Sequence, residues 1–419
     1  MSHVAIIGAG IVGAASALEL LRDGHRVTVI EPGEPGGEQA ASYGNGTLLN
    51  PSSVIPMSSP GLWKKVPGYL RDPLGPLAIR WRYLPKLWPW LHRFVRAGST
   101  PDKVAAIGHA LRPLLLNAPE LHRALAEEAG VAHLIARQGV LFAFPDRAAF
   151  EAEALSWRVR RETGVRWLEL DEDELRQREP ALHRRYKFAV LVEENGQCRD
   201  PGALVAALMR HAVSLGARHV RARATGFRIE AGRLRAVTFA GDELPCDKAV
   251  ISAGAHSKQL AAAAGDFVPL ETERGYHAVI DAPGVAPRYP MMPSDGKMAF
   301  AMTPAGLRTA GQVELAGLEA EPNWKRAEVL LRFAREVYPG IPEDLPPDRV
   351  KVWMGHRPST PDGLPCIGLA SGCADVVHAF GHGHVGLTAG PMTGRLVAAL
   401  VAGRVPEIDP APYAATRFR

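Results

Sequence analysis

Cysteine is scarce in this chain. Among 419 residues there are four, Cys198, Cys246, Cys366 and Cys373. Without a CxxC pair or a metal-ligand spacing, they form neither a disulfide framework nor a metal site, and read as reduced, packed thiols. Long apolar runs are also missing. The longest late uncharged stretch, residues 376–394, contains three His and five Gly, so nothing is expected to span a bilayer. The apolar start at residues 4–9 is broken by glycines and follows no basic segment, so no secretory signal is expected. These absences predict a soluble, cytoplasmic protein. The 42 Gly and 35 Pro follow no Gly-X-Y period, which excludes collagen. No repeat or low-complexity tract is visible. A composition of 47% hydrophobic and 22% charged residues argues against disorder, and the length predicts two or three domains.

Charge is unevenly placed. Residues 61–98 hold Lys64, Lys65, Arg71, Arg80, Arg82, Lys86, Arg93 and Arg96 against one acid, Asp72. That segment is therefore +7 (eight minus one), and with a net charge of +5 the remainder sums to −2. It also contains Trp63, Trp81, Trp88 and Trp90. A solvated helical face with its Trp in the core ranks first for this pattern. Peripheral contact with anionic lipid at the inner face of the cell membrane ranks second. Nucleic acid ranks a distant third and is not expected as a partner.

The N-terminus is more specific. Uncharged residues 3–7 predict a buried strand that runs into Gly8-Ala9-Gly10-Ile11-Val12-Gly13, a helical pattern stopped at Gly24, and a second strand over 26–30 ending in Glu31. Gly8 permits a tight turn, Gly10 lets backbone approach a pyrophosphate, and Gly13 lets helix and strand pack closely. The helix N-terminus presents N–H groups to phosphates. Glu31 can accept from both ribose hydroxyls and would repel a 2′-phosphate, which disfavours NADP. Set between two strands with an acid in register, the motif is strong. It does not separate NAD from FAD, since both have an ADP half.

Three later stretches favour flavin. Residues 39–48, with Ser42, Asn45, Gly46, Thr47 and Leu48, form a small polar loop suited to lying against a flat ring. Residues 247–257 read as a buried strand ending in a turn at Ala253-Gly254. Near the C-terminus, Gly381-His382-Gly383-His384-Val385-Gly386-Leu387-Thr388 opens a second helix, whose N-terminus would stabilise negative charge on a reduced flavin.

With those residues in place, the chain resembles the FAD-dependent amino-acid dehydrogenases of the D-amino-acid oxidase superfamily, over nearly its whole length. The most specific stretches are residues 42–45, 353–368 and 381–388. The resemblance implies an α/β (α+β overall) fold. A discontinuous, doubly wound, Rossmann-like FAD-binding domain is expected at 1–49, 193–264 and 352–419. A substrate domain with a large, mainly antiparallel sheet is expected at 50–192 and 265–351. Residues 200–216 predict a helix opened by Asp200-Pro201, and strands are expected over 218–223 and 234–239. The resemblance puts Ala224 beside the adenine.

It also assigns the chemistry. Arg357, in Gly355-His356-Arg357-Pro358, would hold the substrate carboxylate, a role that suits the two parallel N–H bonds of a guanidinium. Tyr276 is a candidate hydroxyl near the substrate carboxylate or amine, with a core aromatic as the alternative. His384 is a candidate acid–base group, as is His382, because His titrates near neutrality. Related enzymes have a small residue where His384 stands, which makes specificity its alternative role. Ser53 stands where similar enzymes have an aromatic. The expected reaction moves the Cα hydride of a neutral-amine amino acid to flavin N5, giving an imino acid that water hydrolyses to a 2-oxo acid. Alignment does most of the work, so no side-chain base is required. A D-amino acid is the expected substrate, with electrons leaving to a quinone or other carrier. The alternatives are a cyclic or N-substituted substrate such as cis-4-hydroxy-D-proline, and an oxygen-using oxidase.

Overall fold

The computed structural model describes residues 1–64, 66–71 and 74–419, so Lys65 and Asp72 of the basic segment lie outside the described residues. β-Branched, uncharged sequence makes the first strand, β1 (His3–Ile7), which is buried along its length. The helix α1 (Ile11–Arg22) follows, and β2 (Arg26–Ile30) returns beside β1 in parallel. They seed a six-stranded sheet in the order Arg218–Val220, β2, β1, Lys248–Ile251, Val376–Phe380, Cys366–Leu369. Its first five strands are parallel and only the last is antiparallel. Parallel strands buried on both faces need no alternation, which is why these runs are continuously apolar. Strand 218–220 stops short of the expected 223. The helix Pro201–Ser214 forms as expected, capped by Asp200, whose side chain accepts from Ala203 N at 2.9 Å. All four cysteines are free and buried.

The C-terminal helix α2 (Gly386–Ala402) lies against α1 at backbone distance. A Cβ on Gly390 would sit 2.7 Å from Ile11 Cγ1, and one on Gly394 2.8 Å from the Ala15 carbonyl carbon. This helix bears on the sequence expectation that nothing spans a bilayer. Residues 383–402 have a mean hydropathy of 1.4 and are long and apolar enough to cross a bilayer, but 78% of the stretch is buried within the fold. It is a core helix, apolar because α1 and the sheet cover it.

A second, nine-stranded sheet contains three long strands, β3 (Glu271–Ile280), β4 (Gly306–Leu315) and β5 (Val350–Ser359). β3 lies in the middle, antiparallel to both neighbours. Beyond β4 the sheet continues through Ala299–Thr303, Met291–Pro293, Val140–Phe144, Phe188–Val192 and Leu168–Leu170. It is mainly antiparallel, with parallel steps only where Met291–Pro293 meets Val140–Phe144 and where Leu77–Ile79 joins β4. The fold is thus the mixed α/β architecture expected. The expected boundary at residue 352 falls inside β5, which pairs with β3 along its whole length.

The basic, Trp-rich segment departs from the leading expectation. Trp90 alone of its four Trp is buried, while Trp63, Trp81 and Trp88 are 62%, 62% and 59% exposed. The Trp90 indole N–H donates to the Ser359 carbonyl at 3.2 Å, holding the Leu84–Ala97 helix against the end of β5.

Candidate active site

Between β1 and α1 the chain turns through Gly8 at φ +105°, where its N–H donates to Ile30 O at 2.8 Å. A Cβ on Gly8 would lie 2.5 Å from Ser252 O, and one on Gly13 1.9 Å from Gly8 O, so both positions require glycine. Glu31 is fixed at the end of β2, accepting from Ala9 N and Gly33 N, each at 3.0 Å. Ser42 Oγ accepts from Ile11 N at 3.1 Å and ties the 39–48 loop to the start of α1.

A cavity of about 2060 Å³ opens from this turn and runs to the large sheet. Among the expected cofactor residues it is lined by Gly8, Gly10, Ile11, Val12, Glu31, Ser42, Asn45, Gly46, Leu48, Ala224, Ala253, Gly254, Gly383, Gly386, Leu387 and Thr388. Arg357 and His384 line it as well. Segments more than 370 residues apart in sequence therefore converge on one cleft. Its volume is about twice the upper range for a single small-molecule site of ~1,000 Å³, which suits a dinucleotide together with a substrate. The Gly8 turn, with no room for a side chain, and the pinned Glu31 carboxylate at one end fit an ADP moiety.

Three expected residues lie off the cavity. Gly13 serves packing, as above. Thr47 is buried at φ +68°, its carbonyl accepting from Cys198 N at 2.8 Å, and so shapes the loop from behind. Tyr276 is the clear correction. Its hydroxyl donates to Glu314 Oε2 at 2.6 Å and accepts from Asn323 N at 3.0 Å, and its ring belongs to the core on the far side of the sheet. Strand residues alternate between faces, so Tyr276 turns away while Glu273 and Gly275 turn in.

The 39–48 loop is held down by three side chains that sequence reasoning did not assign. Trp353 packs so closely that a Cβ on Gly44 would sit 1.9 Å from its ring, and its indole N–H donates to Glu38 O at 2.9 Å. His277 stacks on Trp353 with ring centroids 5.1 Å apart, and its Nδ1 is 3.1 Å from Gly44 O. Burial, with the nearby Arg308 charge, pulls His277 down to about 4. Arg308 donates to the carbonyls of Tyr43 and Asn45 at 3.2 and 3.0 Å.

At the other end stands Arg357, directly across the ladder from Glu273. A Cβ on the intervening Gly275 would lie 2.1 Å from Arg357 Nη2. The guanidinium crosses that gap and donates from Nη1 to Gln312 O at 3.0 Å. Register between β3 and β4 shifts here, so that Gln312 and Val313 together oppose Gly275. Gln312 sits at φ +62°, a bulge that turns its carbonyl toward Arg357. Burial pulls the Arg357 guanidinium down from its ordinary value, opposed by Glu273, and burial pushes the Glu273 carboxyl up, opposed by Arg357. His384 Nε2 is 3.3 Å from Ser53 Oγ. Burial, then the Arg357 charge, pull His384 down to about 4, so it is neutral at pH 7. His382 is buried, 3.0 Å from Thr393 Oγ1, and pulled down to about 3 by burial. It lines the cavity beside Gly383 and His384.

The family model described as "FAD dependent oxidoreductase" matches residues 3–400. A protein of Bradyrhizobium diazoefficiens named D-amino-acid oxidase is 60% identical over 416 residues, covering 99% of both chains. A D-amino acid dehydrogenase of Paramagnetospirillum magneticum is 31% identical, covering 96% of this chain and 95% of its own. Among solved structures, glycine oxidase from Geobacillus kaustophilus aligns with a TM-score of 0.73 at 23% identity, over 100% and 99% of the two chains. L-Proline dehydrogenase from P. horikoshii aligns with a TM-score of 0.73 at 20% identity, over 100% and 97%.

Proposed function

The chain belongs to the FAD-dependent oxidoreductase family and binds FAD, and from that premise we propose that it oxidises a free D-amino acid to the imino acid, which water converts to a 2-oxo acid. The observation that carries this reading is Arg357, a guanidinium in the cavity whose single protein acceptor among the described residues is a backbone carbonyl. An α-carboxylate offers it two parallel charge-assisted bonds. The names of the 60% and 31% identical relatives support the D configuration.

Bound FAD supplies the two-electron acceptor for the hydride leaving Cα. The chain's own residues orient the substrate. Arg357 fixes the carboxylate, the Gln312 carbonyl fixes Arg357, and the neutral His384 with Ser53 shapes the wall beside it. Glu31, the Gly8–Gly13 turn, Ala224 and Ala253–Gly254 serve the ADP half. The 39–48 and 383–388 loops serve the ring. We read residues 1–49 and 193–264, with the chain after β5, as the FAD-binding part. The long-stranded sheet with 50–192 and 265–351 is the substrate part.

Dioxygen is the acceptor supported by the name of the 60% identical relative. A second reading, transfer to a quinone or other carrier at a membrane surface, is favoured by the exposed Trp63, Trp81 and Trp88 among basic side chains. Arg80, Arg82 and Lys86 of the same segment line the cavity. Peroxide release in air separates the two.

The test is anaerobic bleaching of the visible flavin band with a panel of D- and L-amino acids, including proline and hydroxyproline isomers. Bleaching by D-compounds, abolished by Arg357→Ala in a protein that keeps its flavin, is expected. Bleaching only by L-compounds, or an undiminished rate in Arg357→Ala, overturns the assignment.

A further inference from the structure

A second guanidinium faces the same cavity. Arg160 stands on the Ala154–Glu162 helix, lines the cleft, and donates from Nε to Ser52 O at 3.1 Å. Its guanidinium lies 4.6 Å from the Trp157 ring centroid and 5.7 Å from that of Phe142. Those contacts fix its position without neutralising it. Among the described residues neither terminal nitrogen donates to a protein acceptor, and no carboxylate forms an ion pair with it. The acid whose field reaches it, Glu153, is 3.7 Å from Lys297 Nζ. Arg80, at the same cavity, shows the contrast, since it is paired with Glu314 at 2.8 Å. A half-buried guanidinium without a counter-ion carries a desolvation cost that an incoming anion offsets.

A short run of contacts also joins Arg160 to the neighbourhood of the carboxylate anchor. The Ser52 carbonyl it holds is followed by Ser53, whose Oγ contacts His384, and His384 feels the charge of Arg357. Both guanidiniums line the same cavity, with Ser53 and His384 between the segment that Arg160 holds and Arg357 in that run.

We propose that Arg160 is a specificity-determining residue that binds an anionic group on the substrate side chain, so that the enzyme prefers acidic D-amino acids, aspartate and glutamate. This inference rests on the amino-acid reading above.

The test uses the FAD-loaded enzyme and begins without turnover. Succinate and glutarate are titrated against butyrate and valerate, following the shift of the flavin spectrum. Each dicarboxylate is expected to bind about tenfold or more tightly than its monocarboxylate counterpart. In Arg160→Gln that gap should close while monocarboxylate Kd stays within about twofold, and Arg160→Lys should retain part of it. The wild-type comparison stands whether or not a variant folds. Anaerobic bleaching should then be faster with D-glutamate or D-aspartate than with D-alanine or D-norvaline. Equal binding of mono- and dicarboxylates, or a gap that survives in Arg160→Gln, overturns the proposal. Rapid bleaching by neutral D-amino acids and none by acidic ones overturns it and leaves the amino-acid reading standing. A flavin that no amino acid bleaches overturns both.

Discussion

Arg357 lies across Gly275, so close that a methyl group on the glycine would fall 2.1 Å from Nη2. The middle one of the three long strands has no side chain at the point where the guanidinium of β5 passes over it to reach Gln312 on β4. Glycine inside a strand weakens it, and its presence here marks a close approach.

Gly275→Ala should therefore displace the anchor while leaving the Gly8–Gly13 turn and Glu31 at the other end of the cavity untouched. We expect kcat/KM to fall by about 10²-fold, mostly through KM, against about 10³-fold for Arg357→Ala. Flavin content, read as the ratio of visible to protein absorbance, should be unchanged in both. An alanine variant with wild-type KM would show that the guanidinium has another route to the substrate.

The loop clamp gives a different signature. Trp353, His277 and Arg308 press residues 43–45 into place through ring packing and bonds to the carbonyls of Tyr43, Gly44 and Asn45. Trp353→Ala and Arg308→Met should weaken FAD affinity by about tenfold or more, leaving free backbone acceptors and a void beneath the loop. Flavin fluorescence released on dilution measures this directly. Retention equal to wild type would show that the loop holds its shape unaided.

These two clusters also mark how far sequence could be read. The Gly8–Gly13 turn and Glu31 were legible because each glycine answers a local backbone demand and the acid follows at a fixed strand length. Arg357 was legible only through its Gly-x-Arg-Pro setting. Tyr276 was misplaced because a strand buried on both faces gives no alternation to say which residues face the cleft, and a shift of one position reverses the answer. The Gln312 bulge has no sequence mark at all, since a non-glycine residue at φ +62° is imposed by tertiary contacts. For residues 61–98, basic and Trp residues are interleaved too finely to show that Trp90 turns inward and Trp63, Trp81 and Trp88 outward.

His384 tests whether a side-chain base takes part. Held down to about 4, it is neutral throughout pH 6–9 and has no titration to contribute there. A rise of kcat/KM with pH across that range should then report the substrate ammonium losing its proton. His384→Asn should lower the level by less than about tenfold and leave the shape of the profile intact. A limb that disappears in the variant would assign the proton to the imidazole instead.

Stability should fall in mild acid, for a reason seated in the same buried imidazoles. His122, His277, His356 and His384 are pulled down to about 4 and His382 to about 3, in each case chiefly by burial. As pH falls through 6.5 the unfolded chain takes up protons at these positions and the folded chain does not. The unfolded state then binds more protons, and stability drops until the folded values are reached. Glu179 acts in the opposite sense, because burial pushes it up to about 7 and the folded chain takes its proton first. Five imidazoles against one carboxyl leave a net loss, and Tm should decrease by on the order of 5–10 °C between pH 7 and pH 5. His122, whose Nε2 is 2.7 Å from Leu387 O at the start of α2, isolates one contribution. In His122→Asn the difference in Tm between the two pH values should shrink by about a quarter, whatever the variant does to Tm at pH 7. An unchanged difference, read by differential scanning calorimetry at fixed ionic strength, would mean that His122 is charged in the folded protein or that the acid loss arises elsewhere.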